Sequence, residues 1–189
     1  MSHEASRPIK LLVTGASRSG KSRYALGWAQ AYDPPRLFLA TARPLDQEMA
    51  ERIKKHKQER GPGWITWEEP LLVHQTFRSP PPQTQVLLMD CVTLWLNNLI
   101  MQGLEDQEIL ERGRDLCQAL MECPKPAALV TNEVGWGIVP ENPLGRRFRD
   151  LSGLLNQMLA RVVDKVILMV AGLPVVVKQD LDDSGIGQW

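Results

Sequence analysis

Three things are scarce in this chain of 189 residues: cysteine, an excess of either charge, and long apolar runs. The three cysteines, Cys91, Cys117 and Cys123, show no metal-type spacing, and their odd number leaves one unpaired. This usage favours reduced thiols in the cytoplasm. Basic and acidic residues number 22 each, so no overall field recruits nucleic acid or an anionic membrane.

The apolar runs are too short for a membrane protein. The longest, 166–177, cannot span a bilayer and is broken by Gly172 and Pro174. Residues 1–8 are polar and lack the apolar core of a signal peptide. We therefore expect a cytoplasmic protein without a transmembrane segment. The length suits one compact domain, which we place at 9–178 between an N-terminal tail, 1–8, and a C-terminal tail, 179–189.

The most informative stretch of the chain is residues 15–22, which fits the phosphate-loop pattern G-x-x-x-x-G-K-[ST]. It follows a strand-like run and precedes a helix-like one, as such a loop must. Its glycines let backbone N–H groups turn towards phosphate oxygens. Lys21 adds charge for the terminal phosphates, and the Ser22 hydroxyl can ligate Mg²⁺. The predicted nucleotide-binding loop comprises Gly15, Ala16, Ser17, Arg18, Ser19, Gly20, Lys21 and Ser22.

Strand-like and helix-like segments alternate along the chain. The strands are predicted at 10–14, 36–41, 65–68, 85–90, 127–131 and 165–170. The helices are predicted at 22–31, 46–60, 92–102, 106–121 and 144–163. Strands that are apolar nearly throughout, such as 86–89, favour a parallel sheet covered on both sides. The pattern therefore predicts a single-domain α/β phosphate-loop (P-loop) nucleotide-binding fold, with a mostly parallel sheet and helices on both faces.

Asp90 ends one of these apolar strands. A carboxylate there is well placed to hold Mg²⁺, or a water bound to it, beside the phosphate loop. The alternative is an acidic residue that caps the next helix. Because the loop lies upstream, we favour the metal site, with Ser22 and Asp90 as its residues.

His56 lies in a strongly basic helix-forming segment, 46–60. It shares one helical stripe with Met49, Ile53 and Arg60, and the lysines around it disfavour a charged imidazole. A neutral ring is nucleophilic, and the same cations would hold phosphates against it. On the residues alone, a surface or core histidine with no role in catalysis remains the alternative.

Several segments together resemble one known family. They are the loop at 13–23, the helix 46–60, the segment 64–70, the block Val-Thr-Asn-Glu-Val-Gly-Trp-Gly-Ile-Val-Pro-Glu-Asn at 130–142, and residues 147–150 and 156–157. The chain resembles the bifunctional adenosylcobinamide kinase/adenosylcobinamide-phosphate guanylyltransferase of cobalamin biosynthesis. The likeness runs from about Lys10 to Lys178, and the Asn-Glu-Val-Gly block is highly specific.

The resemblance implies two reactions on a corrinoid substrate. Such enzymes phosphorylate adenosylcobinamide with ATP or GTP, and then transfer GMP from GTP to that phosphate through a guanylyl-histidine. The family's histidine falls on His56, and Lys21 is the second catalytic residue. A homotrimer is also implied. Beyond the loop, the family's nucleotide contacts fall on Ala40, Thr41, Ala42, Lys57, Gln58, Glu59, Arg60, Glu68 and Asp90.

The chain departs from the family pattern at a few positions. Trp136 stands where the family commonly has Met, Pro143 where it has Arg, and a glycine separates Arg60 from Pro62. The first two affect expectations about corrinoid binding more than about the reaction. Two alternative functions are a monofunctional P-loop small-molecule kinase and a nucleotide-dependent switch. A GTPase switch would carry Asn-Lys-x-Asp, whereas residues 132–135, at a comparable strand end, have different chemistry.

Overall fold

The computed structural model describes residues 7–42, 47, 51, 57–58 and 60–179. In chain order the strands are β1 (Lys10–Gly15), β2 (Arg36–Ala40), β3 (Trp64–Glu68), β4 (Val86–Asp90), β5 (Ala127–Val130), β6 (Lys165–Val170) and β7 (Leu173–Gln179). The helices are α1 (Lys21–Gln30), α2 (Val73–Arg78), α3 (Val92–Met101), α4 (Asp106–Glu122) and α5 (Pro143–Val162).

The strands form one sheet in the order β3-β2-β4-β5-β1-β6-β7. All neighbours are parallel except β6 and β7, which pair antiparallel as a hairpin. Residues 86–89 are fully buried in β4, between two parallel partners. The uniformly apolar sequence of this strand follows from burial on both sides, and the predicted mostly parallel sheet is confirmed.

Helices cover both faces of the sheet. Ala25 of α1 packs with Leu11 and Leu88 on one face, where Tyr24 and Trp28 of the same helix are partly buried. The other face is covered by apolar side chains of α2, α3, α4 and α5, including the buried Trp95. The parallel strands therefore point their carboxyl ends at a single edge between two helical layers, where ligands of such folds bind.

The longest helix, α5, begins at residues that favour a helix N-terminus. Asn142 caps its first turn by accepting a hydrogen bond from the Gly145 N–H at 2.6 Å, and Pro143 opens the helix. Its apolar residues recur at helical spacing in the sequence, and the face that they form packs on the core. That face comprises Phe148, Leu151, Leu155, Met158, Leu159 and Val162.

Two elements were missed in the sequence. Helix α2 has only six residues, which is too short for a helical period to stand out. Strand β7 contains Pro174, a residue that sequence patterns associate with a break, yet an edge strand tolerates it. Of the predicted helix 46–60, the described residues 47, 51, 57, 58 and 60 have helical backbone. Within the described ranges, no helix is long and apolar enough to cross a membrane.

Candidate active site

The phosphate loop joins the end of β1 to the start of α1. Gly15 and Gly20 both have positive φ values, 145° and 97°. A Cβ on Gly15 would lie 2.5 Å from the Met169 carbonyl oxygen, so a side chain there would collide with the β6 backbone. The first glycine of the motif is therefore required both by conformation and by the close approach of a neighbouring strand.

Backbone hydrogen bonds hold the loop from two sides. The Gly172 N–H, in the β6–β7 turn, donates to the Ser19 carbonyl at 3.1 Å, and the Glu133 N–H donates to the Gly15 carbonyl at 3.1 Å. The Ser19 hydroxyl is buried and has no hydrogen-bond partner within the described part of the chain. A buried hydroxyl without a partner is costly, and a phosphate oxygen at this loop would satisfy it.

Lys21 lies almost buried at the start of α1, where its ammonium donates to the Ala16 carbonyl at 2.6 Å. Burial lowers the pKa of this lysine, and the nearby Asp90 carboxylate opposes that shift. The cation therefore sits in a poorly solvated position inside the loop. Charge interactions are stronger there than in bulk water, so the lysine is suited to hold an anion.

Asp90 occupies the carboxyl end of β4, directly before α3. It faces a cavity of about 410 Å³ that opens at the carboxyl edge of the sheet. The Asp90–Cys91 peptide bond is cis. The cavity is lined by Ser17, Arg18, Ser19, Gly20, Lys21, Ser22, Arg23, Phe38, Ala40, Ala42, Lys57, Arg60, Asp90, Cys91, Leu94, Val130 and Asn132. The phosphate loop and the acidic strand end therefore share one cavity.

Arg60 supplies a second buried cation to this cavity. Its guanidinium lies 3.8 Å from the centre of the Phe38 ring and donates to the Thr66 hydroxyl at 2.9 Å. Burial lowers the pKa of Arg60, and Asp90 opposes the shift. Its Nε has no hydrogen-bond partner among the described residues. Stacking on an aromatic face fixes the guanidinium plane, which suits recognition of a phosphate or a carboxylate.

The donor set at this edge fits Mg²⁺. Ser22 and Asp90 both line the cavity and offer a hydroxyl and a carboxylate oxygen. Mg²⁺ prefers oxygen ligands and in nucleotide sites takes only one or two protein groups, with phosphates and waters completing the octahedron. The described residues contain no cluster of three or more histidine, cysteine or acidic side chains that would hold a metal by themselves. Ser22 and Asp90 are therefore suited to hold a metal ion whose remaining ligands come from the nucleotide and from water.

Sequence comparison identifies the family. The model of the family described as cobinamide kinase / cobinamide phosphate guanyltransferase matches residues 11–177. The chain belongs to this family. It is a bifunctional kinase and guanylyltransferase of adenosylcobalamin biosynthesis, acting on cobinamide and using nucleoside triphosphates. Membership favours the bifunctional enzyme over the two alternatives, a monofunctional kinase and a nucleotide switch.

Relatives from two bacteria match over nearly the whole chain. The bifunctional adenosylcobalamin biosynthesis protein CobP of Pseudomonas aeruginosa is 41% identical over 168 residues, which is 88% of this chain and 96% of that protein. The bifunctional adenosylcobalamin biosynthesis protein CobU of Salmonella typhimurium is 41% identical over 183 residues, covering 90% of this chain and all of that protein.

A solved structure shares only the fold. The Pyrococcus horikoshii protein PH0250 superimposes with a TM-score of 0.58 at 10% sequence identity, covering 92% of this chain and 88% of that one. At such low identity the match supports the α/β architecture and says nothing about chemistry.

The residues that the family resemblance singled out divide into three groups. The cavity brings together most of the phosphate loop with Ala40, Ala42, Lys57, Arg60 and Asp90. Gly15, Ala16, Thr41, Gln58 and Glu68 do not line it. His56 and Glu59 lie outside the described residues.

Two of the residues outside the lining have other partners. The Thr41 side chain is fully buried, donating to the Cys91 carbonyl at 2.8 Å and accepting from the Cys91 N–H at 2.9 Å. It therefore braces the β4–α3 junction. Glu68 is exposed at the end of β3 and pairs with Lys57 at 2.9 Å. That pair connects the segment containing residues 57 and 58 to the sheet.

Sequence reasoning missed several residues of the cavity, among them Phe38, Cys91 and Asn132. Phe38 reads as an ordinary core residue, and only the tertiary fold brings Arg60 over its ring. For Asn132 a signal was present, since a polar residue directly after an apolar parallel strand lies at the ligand edge of the sheet.

Proposed function

We propose that the single cavity at the phosphate loop binds the nucleotide for both reactions of this enzyme. The supporting observation is that Lys21, Ser22 and Asp90 line the same cavity as Arg60 and Lys57. Five cationic side chains and one carboxylate line this cavity, which lies at the N-terminus of α1, and they form a site for a triphosphate with its metal ion. The family resemblance adds Ala40, Thr41, Ala42, Gln58, Glu59 and Glu68 as nucleotide contacts; of these, Ala40 and Ala42 line the cavity.

In the kinase step, the hydroxyl of adenosylcobinamide attacks the γ-phosphorus of ATP or GTP, the bond to the β,γ-bridging oxygen breaks, ADP or GDP leaves, and the hydroxyl proton passes to solvent. Lys21 neutralises charge on the transferring group, as the backbone N–H groups of the loop do. Ser22 and Asp90 would hold Mg²⁺, which would supply further positive charge against the developing negative charge of the phosphates. Since the substrate hydroxyl is itself the nucleophile, this step needs no covalent protein intermediate.

In the guanylyl transfer, an imidazole nitrogen of His56 attacks the α-phosphorus of GTP, and pyrophosphate leaves. The phosphate of adenosylcobinamide phosphate then attacks the same phosphorus, which breaks the P–N bond and releases the free histidine. Two easier displacements replace one difficult transfer. The assignment is supported by the position of Lys57, the next residue in the chain, on the wall of the cavity.

Incubation with GTP labelled at the α-phosphorus tests this assignment directly. We expect a protein-bound GMP that is labile in acid and stable in base, as a phosphoramidate is. His56→Ala should lose this adduct and the second reaction while it retains measurable phosphorylation of adenosylcobinamide. His3→Ala, a histidine change in the N-terminal tail, is the control. An adduct on His56→Ala, or on a serine or lysine peptide of the parent, would contradict the guanylyl-histidine.

The same proposal includes assembly and location. We assign the catalytic unit to residues 9–178, the assembly to a homotrimer, and the location to the cytoplasm. Strand β7 supports assembly, because Leu173, Val175, Val176 and Val177 expose apolar side chains at the edge of the sheet. All three cysteines are free, in keeping with a reducing compartment.

A further inference from the structure

The segment that follows β5 lies between the phosphate loop and Asp90. Strand β5 pairs with β1 on one side and β4 on the other, and Val130 is the register partner of both Val13 and Asp90. Neighbouring strands lie about 4.8 Å apart, so β1, which leads into the loop, and β4, which ends in Asp90, are separated by about 10 Å. Residues 131–133 occupy the position directly between them.

Hydrogen bonds to β1 and α5 fix the backbone of this segment. The Thr131 and Glu133 N–H groups donate to the Val13 and Gly15 carbonyls at 2.9 and 3.1 Å. Asn156 of α5 accepts from the Thr131 hydroxyl at 2.7 Å and donates to the Asn132 carbonyl at 3.1 Å. Because the backbone is fixed on both sides of Asn132, its side chain projects from a defined point at the cavity edge.

The side chain of Asn132 is itself oriented by one contact. Its Nδ2 donates to the Thr93 hydroxyl at 2.6 Å. Thr93 is buried in the first turn of α3, and its oxygen lies 3.2 Å from the Cys91 sulfur. Among the described residues, Thr93 is the one hydrogen-bond partner of this amide. A carboxamide has two N–H donors and an acceptor oxygen, so one donor and the acceptor remain for a ligand.

We propose that Asn132 donates a hydrogen bond to the terminal phosphate of the bound nucleoside triphosphate, and that Thr93 is a positioning residue for it. This inference rests on the proposed nucleotide site. A triphosphate that spans from the phosphate loop towards Asp90 passes the point where Asn132 enters the cavity. A neutral donor there distinguishes a triphosphate from a diphosphate, because only the triphosphate brings an oxygen to that position.

Calorimetric titration with two analogues tests the contact. The α,β-methylene analogues of GTP and GDP resist guanylyl transfer, so binding is measured without reaction. We expect Asn132→Ala to lose about tenfold or more in affinity for the triphosphate analogue, with the diphosphate affinity unchanged. Thr93→Val, which keeps the shape but lacks the hydroxyl, should lose part of the same preference. Thr93→Ser should retain it.

The ratio of the two affinities separates contact from structural damage. Asn97→Ala is the matched control, since Asn97 lies on α3 but lines a different pocket. Equal losses for both analogues in Asn132→Ala, or an unchanged ratio, would overturn the proposal. A parent protein with no preference for the triphosphate would overturn it too, while leaving the nucleotide site intact. If the parent binds neither analogue, the nucleotide site itself is wrong, and this inference fails with it.

Discussion

The cavity at the centre of the sheet buries charged side chains, whereas the β7 edge of the sheet exposes apolar ones. In the cavity beside the phosphate loop, Lys21 and Arg60 are 7% and 5% exposed. On β7, Leu173 and Val177 are 69% and 62% exposed. Burying a cation costs several kcal/mol unless it is compensated, and an exposed valine forgoes its hydrophobic stabilisation. Both regions are therefore poorly optimised for an isolated chain without ligand.

The difference indicates two kinds of missing partner. The buried cations lie with Asp90 around a cavity, which suits a small anionic ligand and its metal ion. The exposed apolar strand is an extended surface at the end of a sheet, which suits another protein chain. Changes at the centre should therefore affect chemistry, and changes at the edge should affect assembly.

The largest effect is expected for Lys21→Ala. If one loop serves both reactions, the variant should lose kinase and guanylyltransferase activity together, each by about a thousandfold. The reason is that the substitution removes a buried positive charge that stabilises the transferring group. Initial rates of both reactions, measured with the folded variant, check this. Near-normal kcat in either reaction would contradict a single nucleotide site.

Asp90→Asn should have the next largest effect. The carboxamide keeps the shape of the side chain but removes the charge that holds the metal ion, so we expect turnover to fall by about a hundredfold. Nucleotide affinity should fall much less. When the rate is measured against Mg²⁺ concentration, the variant should reach half of its maximal rate at a higher concentration than the parent. Identical Mg²⁺ curves for variant and parent would refute a metal-binding role for Asp90.

Gly15→Ala should reduce stability where the loop meets β6. The new methyl group would approach the Met169 carbonyl oxygen within 2.5 Å at a φ of 145°. Overpacking of this kind costs about 1–3 kcal/mol of unfolding free energy. Gly27→Ala in α1 is the matched control: a Cβ there meets no described atom within 4 Å, and alanine favours a helix by up to about 1 kcal/mol. Denaturant unfolding curves compare the two, and equal midpoints would contradict the close approach.

Features that depend on local sequence were predictable. The phosphate loop follows from spacing, Asp90 from its place after an apolar strand, and the α5 core face from helical period. Features made by tertiary contact were not. Arg60 meets Phe38 only in the folded sheet, and the contact between Asn132 and Thr93 joins the segment after β5 to the first turn of α3. The identity of a single residue does not indicate such a partner. The sequence therefore predicted the phosphate loop and Asp90, but not the contacts that Arg60 and Asn132 make at the cavity.

The smallest effect on the single chain, and a clear one on assembly, is expected for the double variant Leu173→Lys, Val177→Lys. Both side chains are largely exposed, so each change should alter the stability of one chain by less than about 0.5 kcal/mol. If β7 lies in the trimer interface, burying two ammonium groups there would separate the chains. Sedimentation should then show the mass fall from three chains to one. Met121→Lys, on the exposed side of α4, is the control and should leave the mass unchanged. A trimer that survives the β7 changes would move the interface to another surface, and a parent that sediments as a single chain would refute the trimer.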